Sequence, residues 1–244
     1  MHLGTHPILP DHRPLAIAHR WGNTISTALA AIETGFDMIE TDLWPFHGRL
    51  EVRHAKSLGP FPIYWEKWYI EAIGPHQLEL ADLVRALPPT APLFIDFKGT
   101  LPWLGERAIE AIEQVQKGRE VIVCGRAWTQ LDPIERLPNV HVFYSVGNHA
   151  ELALVWEKLE AQENPAISVR HELLDIETLG RLNDLGTTIV AWTVNDPVVA
   201  AYLFRHGVDG FTSDNVDMLK QIVTHRERAF DDIPDIVPDW RHHG

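Results

Sequence analysis

LAIAHRWGN, residues 15–23, decides the fold. Its first four residues, Leu15–Ala18, are apolar without alternation, which suits a strand buried on both faces of a parallel sheet. A doubly wound open sheet would put a glycine-rich phosphate-binding turn directly after such a strand. Here His19-Arg20-Trp21-Gly22-Asn23 follows instead, which weakens that alternative. Short apolar runs recur at Asp37–Ile39, Leu93–Ile95, Val121–Val123, His141–Tyr144, Ala166–Val169, Thr188–Ala191 and Gly207–Phe211. Amphipathic stretches separate them at Ser26–Gly35, Gln77–Ala86, Trp103–Lys117, Asn148–Ala161, Asp175–Asp184, Asp196–Arg205 and Val216–Ala229. Asp175, Asp196 and Asn215 are expected N-caps, and Gly35, Gly118, Gly186 and Gly207 are expected to close the preceding helices. Eight strands, nearly all followed by a helix, predict an α/β fold of one (β/α)8 TIM barrel with right-handed crossovers, over residues 1–230.

Two segments break this rhythm. Residues 55–76 hold Phe61, Tyr64, Trp65, Trp68 and Tyr69, and read either as a lid beside the site or as a loop packing its aromatics on the rim. Residues 231–244 are acidic, punctuated by proline and close on Arg241-His242-His243-Gly244, and read as a C-terminal tail.

Composition narrows the function. The 244 residues are 45% hydrophobic and 23% charged, enough apolar material for one sizeable core. Lys and Arg number 21 against 34 Asp and Glu, a formal net charge of −13. Such a surface repels nucleic-acid phosphates and anionic membranes. A site for a phosphorylated ligand must therefore be locally positive inside a negative molecule. The single cysteine, Cys124, excludes an internal disulfide framework. No apolar run is long enough to span a bilayer, and the N-terminus lacks the apolar region of a signal peptide, so no stable membrane insertion and a cytoplasmic location are expected.

In a barrel, reactive groups come from the C-terminal ends of the strands. Reading each end in turn gives His19 and Arg20, Glu40 and Asp42, Asp96 and Lys98, Arg126, Ser145, Arg170 and His171, Trp192 and Asn195, then Thr212, Ser213 and Asp214. Glu40 and Asp42 are two apart, so their side chains share a face. Carboxylates that close repel unless a cation or a proton lies between them. With Asp96 they form an oxygen-rich site suited to Mg²⁺, Ca²⁺ or Mn²⁺ rather than zinc. The competing reading pairs Glu40 with Arg20 and Asp96 with Lys98 as buried salt bridges. The chain has 14 histidines, so position singles out two: His19, and His54 at the end of a short hairpin turning at His47-Gly48. Flanking a bound phosphate, they would suit general acid–base catalysis.

The strings AHRWGNT (18–24), GFDMIETDL (35–43), HGRLEVRH (47–54), LFIDFKG (93–99), VAWTVND (190–196) and GVDGFTSDN (207–215) occur in this order. Together the chain resembles the glycerophosphodiester phosphodiesterase family, of the phospholipase C-like phosphodiesterase superfamily. The resemblance implies catalytic roles for His19 and His54, and metal ligation by Glu40, Asp42 and Asp96. It implies substrate contacts for Arg20, Lys98 and Trp192, and one divalent cation as cofactor. The substrate it implies is a small phosphodiester, cleaved to glycerol 3-phosphate and an alcohol. Two departures stand out. Trp21 displaces a glycine and Gly22 stands where the family has a Glu before Asn-Thr, while Ala55 replaces an Asp after the second histidine. Asp96 and the short first loop look more like the sphingomyelinase D and lysophospholipase D branch. Lysolipid cleavage is therefore one alternative, with the aromatics of 55–76 and Trp192 holding a chain or head group. A barrel that binds phosphodiesters without turnover is the other.

Overall fold

The computed structural model describes residues 6–57 and 77–238, with the backbone alone of 63–66 and 69–72. Strand β1 (Leu15–Ala18) leads through a short 3-10 turn, Trp21–Asn23, into helix α1 (Ile25–Thr34). Strand β2 (Met38–Phe46) doubles back as β3 (Arg49–Val52). The two-residue turn between them has positive φ at both His47 (48°) and Gly48 (80°), the turn whose twist matches antiparallel strands. Three short strands follow: β4 (Lys56–Ser57), β5 (Ile63–Glu66) and β6 (Tyr69–Ala72). The rest runs α2 (Leu80–Ala86), β7 (Leu93–Phe97), α3 (Leu104–Val115), β8 (Val121–Gly125), β9 (Val140–Val146), α4 (His149–Ala161), β10 (Ala166–Arg170), α5 (Ile176–Asp184), β11 (Thr188–Trp192), α6 (Pro197–Arg205), β12 (Gly210–Ser213) and α7 (Val216–His225).

Eight of these strands close into a parallel barrel, in the order β1, β2, β7, β8, β9, β10, β11, β12 and back to β1. The expected (β/α)8 barrel is the fold. Alternation along each strand divides the core. Leu15, Ile17, Met38, Phe94, Ile122, Phe143, Ala166 and Val190 fill the barrel interior. Their neighbours Ala16, Ile39, Ile95, Val123, Val142, Ile167 and Ile189 pack outward in the core cluster that includes the helices. Both faces are buried, so the strands read as unbroken apolar runs. Side chains of Asp175, Asp196 and Asn215 cap α5, α6 and α7 as expected, and Thr24 and Asn148 cap α1 and α4. The four helix-closing glycines all have φ between 73° and 94°.

Several boundaries differ from the sequence reading. No α-helix joins β8 to β9: a 3-10 turn at Trp128–Gln130 and a run of turns span the gap. The eighth strand begins at Gly210, because Gly207 is spent on the left-handed turn that ends α6. Residues 77–79 are extended rather than helical, since Val52 donates its N–H to the Leu78 carbonyl and Glu79 bridges to Glu51. Residues 55–76 are partly regular: β4, β5 and β6 form their own antiparallel sheet. Phe61 and Trp68, and the side chains of Tyr64, Trp65 and Tyr69, lie outside the described residues, as do tail residues 239–244. No helix among the described residues is long and apolar enough to cross a membrane.

Candidate active site

The polar ends of the strands converge on a cavity of about 280 Å³ at the C-terminal mouth of the barrel. His19, Arg20, Glu40, His54, Asp96, Lys98 and Trp192 all line it. Asp42, buried just behind, joins them through its ion pair with Lys98, Oδ1 to Nζ 2.8 Å. Of the other strand-end residues, Arg126, Ser145 and Thr212 also line the cavity. Arg170 is exposed and paired with Glu172, and His171 does not line the cavity.

Register explains the acidic cluster. Asp42 on β2 lies directly beside Asp96 on β7, and Glu40 is two residues back on the same face. One oxygen from each of the three carboxyls lies within 4.8 Å of the others. A cation with oxygen ligands at about 2.0–2.6 Å needs its donors within roughly 5 Å of one another, so this set fits one hard divalent ion. The charges are crowded. Burial, then the neighbouring Asp42, raises the Glu40 carboxyl well above its ordinary value. Burial raises Asp96 as well, with Asp42 adding to the effect. For Asp42 burial acts in the same sense, but the Lys98 ammonium and hydrogen bonds from Lys98 and Asn23 outweigh it and hold this carboxyl low. Lys98 pairs with both Asp96 and Asp42. The expected Asp96–Lys98 pair is therefore present, whereas Glu40 accepts from the Arg20 backbone N–H.

The first loop holds this arrangement. Asn23 donates from Nδ2 to Asp42 Oδ2 (2.9 Å), and its Oδ1 accepts the Asp42 N–H (2.9 Å) and the Thr41 hydroxyl (3.1 Å). A Cβ on Gly22 would come within 2.6 Å of Thr41 Cβ and 2.8 Å of the Glu40 carbonyl oxygen, so only glycine allows this approach. Arg20 itself sits in the left-handed region at φ 61°, a costly conformation for a side chain of this size.

The histidines differ in their partners. His19 Nδ1 is 2.7 Å from Asp214 Oδ1. A carboxylate accepts, so Nδ1 carries the proton and Nε2 keeps its lone pair. Burial, with help from Arg20, lowers the His19 pKa despite Asp214 and Asp42. Asp214 is set by the β11 loop, where Asn195 Oδ1 accepts its N–H at 2.8 Å. His54 follows β3, and the adjacent Arg53 N–H bonds the Asp42 carbonyl (3.0 Å), which anchors this end of the hairpin beside the carboxylates. Arg20 donates to His54 Nε2 at 2.6 Å.

Sequence reasoning gave no role to Asn23, Asp214 or Ser168. Asp214 was legible as a strand end, but its register against His19 across β12 and β1 was not. Ser168 stands beside Ser145 across β10 and β9, and both line the cavity, but Ser168 lies inside the apolar run Ala166–Val169 whereas Ser145 was legible as a strand end.

Residues 104–218 match the model of the glycerophosphoryl diester phosphodiesterase family. A phosphodiesterase from Oleispira antarctica, in complex with the product sn-glycerol-3-phosphate, superposes with TM-score 0.67 at 19% identity, covering 92% of this chain and 98% of that one. The family match spans just under half of the chain, and the superposed structure shares its fold. A glycerophosphodiester phosphodiesterase from Parabacteroides distasonis superposes with TM-score 0.66 at 17% identity, over 85% of this chain and 95% of that one. A Silicibacter pomeroyi structure, provisionally described as a glycerophosphoryl diester phosphodiesterase, reaches TM-score 0.70 at 16% identity, over 91% and 95%. No curated protein matches the sequence. The stretch matched by the family model includes Trp192 and Asp214 but stops short of both candidate histidines and all three clustered carboxylates. Those residues rest on the geometry above.

Proposed function

We propose that this phosphoric diester hydrolase cleaves glycerophosphodiesters to glycerol 3-phosphate and an alcohol, using a divalent cation and the His19–His54 pair. The observation that carries the reading is the three-carboxylate cluster beside two histidines in one cavity. Glu40, Asp42 and Asp96 would hold Mg²⁺, Ca²⁺ or Mn²⁺, which would supply positive charge to the phosphate oxygens as negative charge builds there. Arg20 and Lys98 add fixed positive charge at the same wall. His19 Nε2, neutral near pH 7, takes the proton of the attacking hydroxyl, from water or from a neighbouring hydroxyl of the substrate. Asp214 keeps the imidazole in the tautomer this requires and steadies it once charged. His54 gives a proton to the departing alcohol oxygen. Trp192 borders the site and orients the ester.

The test is release of glycerol 3-phosphate from glycerophosphocholine and glycerophosphoethanolamine, with Mg²⁺, Ca²⁺ or a chelator, and with lysophosphatidylcholine as the competing substrate. Metal-dependent turnover of the water-soluble diesters is expected. Preference for the lysolipid would replace the substrate class. Inertness toward both substrates with every metal would refute the reading.

A further inference from the structure

A second cavity, about 480 Å³, lies at the opposite end of the barrel. It is bounded by the N-terminal segment and by the starts of β2, β7 and β8, with Leu9, Met38, Leu93 and Ile122 among its apolar walls. Its volume falls in the range of small-molecule sites. Arg119 lines it and is only 4% exposed. The guanidinium donates to the Gln116 side-chain oxygen and, at 2.6 Å, to the Ala91 carbonyl. These partners are neutral, and Nε has none. Among the described residues, no carboxylate forms an ion pair with Arg119. The other deeply buried arginine, Arg53, is 2.9 Å from Glu51, and the half-buried Arg13 is 3.0 Å from Asp209.

A buried charge without a counter-charge is costly. Burial alone, opposed by no neighbouring acid, lowers the Arg119 pKa to about 10. Two acids line the same cavity, and neither serves Arg119. Asp37 is committed to Arg226, His12 and the Ala16 N–H. Glu120 is exposed and makes no ion pair with it. Lys117, also lining the cavity and exposed, adds positive charge.

We propose that this cavity binds a small organic anion, a monocarboxylate with a hydrocarbon chain of about four to eight carbons. Its carboxylate meets the Arg119 guanidinium and its chain lies on the apolar wall. Arginine is suited to this role because its planar donors match the two carboxylate oxygens. The site is independent of the proposed chemistry at the other mouth.

Hexanoate is the probe, titrated calorimetrically at pH 7 beside 1-hexanol and 1-hexylamine. Hexanoate is expected to bind one per chain and to raise the melting temperature through linkage. The alcohol and the amine are expected to bind at least about tenfold more weakly, tenfold being about 1.4 kcal/mol. Arg119→Gln should weaken hexanoate by at least about tenfold without changing hexanol binding. Thr90→Trp fills the cavity from its exposed rim and leaves Arg119 in place, so it should abolish binding even if the arginine variant does not fold. Methyl NMR signals of Leu9 and Ile122 should shift on binding. No binding by the wild type, equal binding by Arg119→Gln and wild type, or shifts confined to the catalytic mouth would each overturn the proposal.

Discussion

The two mouths of this barrel handle buried carboxylates in opposite ways. At the N-terminal end the two buried acids, Asp37 and Asp209, are each matched by several donors. Asp37 accepts from His12 (2.7 Å), the Ala16 N–H (2.7 Å) and Arg226 (2.7 Å), and Asp209 accepts from Arg13 (3.0 Å) and the Ile189 N–H (2.8 Å). These contacts tie the entering chain and the residues after α7 to the strand starts, so these two carboxylates serve stability. At the C-terminal end, Glu40, Asp42 and Asp96 crowd around one ammonium, and two of the three carboxyls are held above their ordinary values. Carboxyls crowded until they resist ionisation contribute little to folding, which is the mark of a site kept for a ligand.

The strongest way to break this contrast is at the histidines. His19→Ala and His54→Ala should each lower kcat by about 10²–10⁴-fold with little change in melting temperature. Steady-state kinetics beside calorimetry checks both halves. Asp37→Ala should do the reverse. Loss of one partner of a buried pair costs about 3 kcal/mol, while the folded fraction keeps its kcat. Glu40→Gln sharpens the comparison further. The ionised Glu40 carboxylate is unfavourable in its crowded site, so the amide should leave the metal-free protein as stable or more stable, yet remove Mg²⁺ or Ca²⁺ binding in a calorimetric titration. A large stability loss in Glu40→Gln would place this carboxylate with the structural ones.

The difference between the mouths also explains what was readable in the sequence. The barrel strands were legible because burial on both faces leaves unbroken apolar runs, and because the polar strand ends follow them in chain order. Glu40, Asp42, Asp96 and His54 were legible because period-two spacing and one two-residue turn fix their direction. The roles of Asn23 and Asp214 were not, because each depends on register between strands far apart in sequence: Asp214 meets His19 only because Ser213 pairs with Ala18. Arg119 was invisible for another reason. A lone arginine after a helix reads as surface, and only the packing of Gln116 and the Ala91 carbonyl around it shows that it is buried.

Asp214 gives a smaller and more specific effect. It raises the His19 pKa by its charge and its hydrogen bond, against the lowering caused by burial. Its removal in Asp214→Asn leaves the lowering unopposed by that group. A base works only when deprotonated, so the acid limb of kcat/KM should move to lower pH, with kcat reduced by roughly tenfold through loss of the fixed tautomer. A pH–rate profile reads this directly. An acid limb that stays fixed, or moves up, would remove His19 from the role of base.

At the N-terminal mouth the corresponding titration affects folding rather than rate. His6 packs edge-on to His141, with ring centroids 5.0 Å apart, and burial, then His141 and Arg13, lowers its pKa to about 4. The unfolded chain holds the proton more readily, with an ordinary value near 6.5. The stability His6 confers is therefore complete above about pH 6.5 and is lost as pH falls toward 4. Melting temperatures taken across that window should decline in the wild type and decline less in His6→Gln, with kcat at pH 7 the same in both. Parallel declines would show that the acid sensitivity of this mouth comes from groups other than His6, the partly exposed His141 first among them, since burial lowers its pKa too.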